Sequence, residues 1–199
     1  PAMKRIQTLS ISSIGNDNFY DVAISKADSG LVYLSGTAAN SNLIVTNTLE
    51  FSIGNRALIY TGDNRYVQVG TGESDLASIQ RFGSGHINGY LRRWINNGPQ
   101  DKTFFVGTQH YTPARVQTSS GTGVEGLLSI KAYGIEHPDI SNLSAMQPNT
   151  HINRYWQITP ISSTPFELGS GRTYTLTLNF LKGNVPTGDV KAGSSFGIF

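Results

Sequence analysis

The chain has 199 residues, 15 basic and 13 acidic side chains, a formal net charge of +2, and 22 glycines but no cysteine. So even a charge balance argues against nucleic acid or an anionic membrane as the main partner. The lack of cysteine excludes disulfides, thiolate metal sites and cysteine nucleophiles. No run approaches the ~20 apolar residues that cross a bilayer, so no membrane insertion is expected. Pro1-Ala2-Met3 lacks the basic and apolar regions of a signal peptide, and Ser194–Phe199 ends on apolar residues, so the chain reads as a fragment of something longer.

In chain order, the first half is a run of short β segments: Ile6–Ile11, Tyr20–Ile24, Leu31–Leu34, Leu43–Val45, Leu49–Ile53, Ala57–Tyr60 and Tyr66–Val69. Turn signals such as Gly15–Asn18, Asp28–Gly30, Gly54-Asn55 and Gly62–Asn64 separate them closely. This spacing predicts a parallel β-solenoid over 1–88, with a plain antiparallel sandwich as the alternative. Leu49, Phe51 and Ile53 alternate with Glu50 and Ser52, so one face points inward. A short helix is expected only at Asp75–Gln80, where a loop or strand edge competes.

From Ile87–Trp94 the texture changes, and Asn96-Asn97-Gly98-Pro99 is a strong turn. Longer strands are predicted at 103–106, 114–118, 127–133, 155–159 and 173–181. Tyr174, Leu176, Leu178 and Phe180 share one face, opposite Thr175, Thr177 and Asn179. The fold class is therefore all-β: a solenoid-like segment over 1–88, then an antiparallel β-sandwich over 89–199 with its last strand cut. Arg92-Arg93 reads as part of a solvated strand face.

Several of these segments, in order, carry a resemblance. Glu136-His137-Pro138-Asp139-Ile140-Ser141 precedes Asn153-Arg154-Tyr155-Trp156-Gln157-Ile158-Thr159. Phe104–Thr108 and Tyr111-Thr112-Pro113 lie upstream and Tyr174–Phe180 downstream. The set resembles a module repeated in very large secreted, adhesin-like surface proteins of Bacteroidetes-type bacteria. Phe19–Lys26 and Asn47–Asn55 are similar to the β-helical stretches that precede this module, and Ile87–Trp94 to the strand that leads into it. The resemblance implies an extracellular or cell-surface location and a β-helix followed by a sandwich. It does not imply a ligand.

The residues that carry chemistry are scattered. His86, His110, His137 and His151 lack the spacing of a metal site and read as turn and loop histidines bonded to backbone or water. Glu136-His137-Pro138-Asp139 gathers two carboxylates and an imidazole, yet no nucleophile motif accompanies it, and a structural turn is the simpler reading. Asn16-Asp17-Asn18, Asp63-Asn64, Asp139 and Asn184–Asp189 mark four segments where calcium has oxygen donors but not the regular loop spacing. Trp156 shares a strand face with Ile158 and reads as core, and Arg154 shares that face with its head near solvent or a carbonyl. Trp94 is placed at a boundary, exposed or packed. Tyr33, Tyr60 and Tyr66 are the candidates for an exposed aromatic stripe.

No catalytic, cofactor or metal site is assigned. The expected function is non-enzymatic: a structural or adhesive segment of a bacterial surface protein, acting as stalk, display or assembly unit. The alternative is a carbohydrate-binding module attached to a secreted enzyme. Expected partners are copies or neighbouring modules of the same chain, or a surface glycan.

Overall fold

The computed structural model describes residues 6–10, 17–25, 30–36, 41–52, 57–72, 76–119, 125–138, 153–161 and 173–180. Within them lie β1 (Ile6–Ser10), β2 (Asp17–Ile24), β3 (Leu31–Ser35), β4 (Leu43–Phe51), β5 (Leu58–Tyr60), β6 (Tyr66–Val69) and β7 (Ser78–Arg81). They continue with β8 (His86–Asn88), β9 (Tyr90–Ile95), β10 (Gln100–Phe104), β11 (Ala114–Thr118), β12 (Gly126–Tyr133), β13 (Tyr155–Pro160) and β14 (Tyr174–Leu178). The described residues contain no α-helix, so the all-β class holds.

Apart from β7, the first nine strands alternate between two sheets. One has the order β1-β3-β5-β8, and the other begins β2-β4-β6-β9, with every one of these neighbours parallel. Partners in the first sheet stand 25, 27 and 28 residues apart (Ile6↔Leu31, Leu31↔Leu58, Leu58↔His86). That interval is what a parallel neighbour demands, because the chain must return to its starting end before pairing. Here it returns by crossing to the other sheet. What the pairing establishes is two linked parallel ladders; the antiparallel alternative for these strands is ruled out.

The side chains follow the period of two. Val32, Leu34, Ile59 and Ile87 turn inward from one sheet, and Val45, Leu49, Phe51, Val67 and Leu91 from the other. Strand β4 joins two predicted segments into one, with a register irregularity against β2 between Phe19 and Asp21. Asp21 secures this bend: its Oδ1 accepts from the Thr48 amide at 3.0 Å and from Asn47 Nδ2 at 2.7 Å.

The short helix expected at 75–80 is not formed in its described part. Ser78–Arg81 is β7, parallel to β4. The reason lies in the length of β4. Its partner β6 covers only Leu43–Val45, leaving the backbone of Thr48–Phe51 to be satisfied, and β7 does so with Ile79 opposite Leu49.

At Gly89 the chain passes from β8 to β9 in one residue. Its φ of +143° is open to glycine alone, and a Cβ there would collide with the Thr61 hydroxyl. Strand β9 then has parallel β6 on one side and antiparallel β12 on the other, followed by β13. One sheet thus runs across residues 88 and 89. The three-stranded sheet β10-β11-β14 is antiparallel, and Phe104, Ala114 and Val116 join the same core cluster as the parallel strands. On β14, Leu176 and Leu178 pack against this core while Thr175 and Thr177 are exposed.

The two adjacent arginines of β9 necessarily point to opposite faces, and neither forms the solvated face expected of them. Arg93 is buried between core-registered Val69 and Leu128, and donates from Nη1 to Thr103 O at 2.9 Å. Arg92, on the outer face, lies over the Tyr66 ring with Cζ 3.4 Å from the centroid.

Candidate functional site

The outer face of the long sheet gathers polar and aromatic side chains that are distant in sequence. Strand alternation sends Leu128, Ile130 and Ala132 of β12 to the core, which leaves Ser129, Lys131 and Tyr133 outside. The register then sets Lys131 beside Gln157 and Tyr133 beside Tyr155. Tyr90 arrives from β9, and Asp63 from the turn that follows Gly62, whose φ is +71°.

These groups are tied to one another. The Tyr133 hydroxyl donates to Gln157 Oε1 at 3.0 Å and the Tyr90 hydroxyl does so at 3.3 Å, with the two hydroxyls 3.2 Å apart. Lys131 is buried along its stem, and its ammonium donates to Asp63 Oδ1 at 3.0 Å. The same ammonium stands 4.6 Å from the Tyr133 ring centroid and 4.7 Å from that of Tyr90, a cation–π arrangement. The rings of Tyr133 and Tyr155 stack at 4.4 Å and 8°, and His137 meets Tyr155 edge-on at 4.8 Å. Burial, reinforced by the Tyr90 hydroxyl and the nearby Tyr155 and Asp63, pushes the Tyr133 phenol well above its ordinary value. The cluster offers hydroxyl, carboxamide and ammonium groups at a surface, but its ring faces are largely turned to each other.

The residues singled out from sequence fall elsewhere or join this cluster singly. His86 is buried on β8, with Nε2 3.1 Å from Thr108 O and Nδ1 3.4 Å from Ser84 O. A turn or loop position was expected for it; instead it sits on a strand under the 107–111 turn, beside the Tyr111 ring. Burial lowers its pKa; the two carbonyls oppose this, and Arg81 and His110 add to it. Arg81 stacks on Tyr111 with Cζ 3.7 Å from the centroid, while donating to Gly85 O. His110 is exposed, as is His137; His151 lies outside the described residues.

Of the calcium candidates, Asp63 has Lys131 on its carboxylate and Asp17 and Asn18 lie on β2; Asn16, Asp139 and Asp189 lie outside the described residues. Among the described residues no three His, Cys, Asp or Glu side chains converge on a metal position. Glu136 is half-buried. The predicted tyrosine stripe is divided. Tyr33 and Tyr60 are direct partners on the first sheet, edge-to-face at 5.1 Å and 67°, while Tyr66 belongs to the other sheet under Arg92.

Trp156 faces the core as its alternation with Gln157 predicts, and its indole donates to Thr112 O at 3.1 Å. Trp94 is buried, its indole 3.3 Å from Glu125 Oε2. Arg154 is buried rather than solvent-seeking, and it donates to the hydroxyls of Thr112 at 3.1 Å and Thr108 at 3.4 Å. The tyrosine cluster itself was not found from sequence. Only the alternation of 155–159 hinted at it, by placing Tyr155 and Gln157 opposite Trp156 and Ile158.

No family model, curated protein or solved structure matches this chain. No described helix is long and apolar enough to cross a membrane.

Proposed function

We propose that the chain is a non-enzymatic structural segment of a large extracellular bacterial surface protein, serving as a stalk, display or assembly unit. One observation carries the reading: successive strands return to the same two parallel ladders at intervals of 24 to 28 residues. A ladder of that kind gains stability coil by coil, each coil resting on its neighbour, which suits a load-bearing element. The polar side chains of the outer face support it too, since Asp63, Lys131, Tyr90, Tyr133 and Gln157 are engaged with each other. The adhesin-like module that the sequence resembles supplies the extracellular location.

Pulling single molecules by their two ends tests this reading. A load-bearing ladder yields in steps, each lengthening the tether by about 90 Å, the extended length of one interval. Release of the whole chain in a single low-force event would contradict it.

A second reading, binding of a surface glycan, rests on the tyrosine cluster, whose exposed Gln157 carboxamide and phenol hydroxyls match the hydrogen-bonding habit of sugars. Loss of glycan-array binding in Gln157→Ala and Tyr133→Ala would support it. Absence of any binding by the parent chain would remove it.

A further inference from the structure

Arg92 carries a positive charge without a counter-charge. It is half-buried on the outer face of the long sheet, and among the described residues no acceptor takes a hydrogen bond from its guanidinium. Its Nε is sealed from solvent with no partner. Asp63 and Glu125 reach this face but serve other groups: Asp63 holds Lys131, and Glu125 faces the Trp94 indole. Burial lowers the Arg92 pKa, opposed by Tyr66 alone. A cation drawn part-way out of water without an acid beside it is costly, and marks a place where a ligand supplies the missing charge.

The geometry limits what fits. The Arg92 Cζ lies 3.4 Å from the Tyr66 centroid, so the ring covers one face of the guanidinium and leaves its N–H edge. That edge is a planar fork, matched to a carboxylate. The register sets Gln68 on one side of Arg92, its amide already donating to Gly70 O. On the other side it sets Ser129, with Thr159 beyond. The Ser129 hydroxyl has no partner among the described residues, and Thr159 is exposed. Both hydroxyls lie where they can donate to a bound ligand. Gln157 stands two strands across and two residues along, roughly 12 Å from Arg92, the span of a short oligosaccharide. One uncompensated cation matches one negative charge, which suits a carboxylated sugar better than a polyanion.

We propose that Arg92 binds the carboxylate of an acidic sugar, with the Ser129 and Thr159 hydroxyls beside it and the sugar chain running toward Gln157. This deepens the glycan reading given above and rests on it.

Proton–nitrogen NMR of the arginine Nε–H groups tests the proposal, with glucuronate, glucose and acetate titrated separately at neutral pH. The Arg92 signal is the one missing from Arg92→Lys. Glucuronate is expected to shift it saturably, glucose to leave it unmoved, and acetate to bind at least about tenfold more weakly. Arg92→Lys keeps the charge without the fork, and should weaken glucuronate roughly tenfold, read on the backbone amides of Ser129 and Thr159. Thr159→Ala, at an exposed position, should weaken it severalfold and is the second variant where the first folds poorly. Acetate binding as tightly as glucuronate would make the site one for any carboxylate, such as a peptide side chain, and would overturn the sugar assignment. Absence of a saturable shift at Arg92 would overturn it too. Glycan-array binding that persists in that case leaves the glycan reading standing alone.

Discussion

Arg154 donates from Nη1 to the Thr112 hydroxyl at 3.1 Å, joining two buried residues 42 positions apart in sequence. Two residues further along β13, the Trp156 indole donates to the carbonyl of the same threonine. The start of β13 is thereby fastened to the turn that leads into β11, independently of the β12–β13 ladder.

Removing that fastening should be costly. Arg154→Ala leaves the hydroxyls of Thr108 and Thr112 without their cationic donor, and is expected to destabilise the chain by about 2–3 kcal/mol in urea unfolding. Arg154→Lys restores a charge but lacks the planar fork, and should recover less than half. A loss below the error of the unfolding measurement would show that the contact contributes nothing.

Acid stability should carry the signature of His86. Its folded pKa is lowered, chiefly by burial, so the native state favours the neutral ring. That contribution is fully present above the unfolded-state value of about 6.5 and is lost as pH falls below it, levelling off once the buried ring itself protonates. A neutral imidazole has one N–H for the two carbonyls it faces, so protonation gains a hydrogen bond yet loses more to burial beside Arg81 and His110. His86→Gln is expected to flatten the stability profile between pH 7 and the acid limb set by carboxylates. An unchanged slope in that variant would assign the effect elsewhere.

The alkaline limb belongs in part to Tyr133, whose phenol is pushed above its ordinary value. Stability from this group is complete below about pH 10 and is lost as pH rises beyond it, because only the unfolded state ionises readily there. Tyr133→Phe should therefore flatten the loss of stability above about pH 10, leaving the shallower contribution of the half-buried Tyr111 phenol, also raised by burial. Thermal unfolding followed across that range decides it; parallel curves for the two proteins would count against the assignment.

Much of this was legible in local sequence. The strands at 66–69 and 114–118 fall at their predicted bounds, and Trp156 faces inward as its alternation with Gln157 requires. Short-range pattern sufficed there because a half-buried strand advertises its own period. It failed at Ser78–Arg81, where the deciding factor was the unsatisfied length of β4, some thirty residues upstream. It failed again at Arg93 and His86, whose acceptors Thr103 O and Thr108 O come from segments the period cannot locate. The tyrosine cluster was hidden for the same reason, since Asp63, Tyr90, Lys131 and Gln157 meet only through the register of four separate chain segments.

The parallel pairing of β3 with β5 is the relationship on which the scaffold reading depends, and the absence of native cysteine makes it open to direct measurement. Tyr33 and Tyr60 are register partners on the outer face, where adjacent strands are about 4.8 Å apart, within reach of a disulfide. Oxidation of Tyr33→Cys/Tyr60→Cys, read by non-reducing electrophoresis and peptide mapping, should give a rapid intramolecular disulfide in folded protein. Tyr33→Cys/Tyr66→Cys, with the second cysteine on the other sheet, should not. Failure of the first pair to close, or equal closure of both, would contradict the two-ladder account.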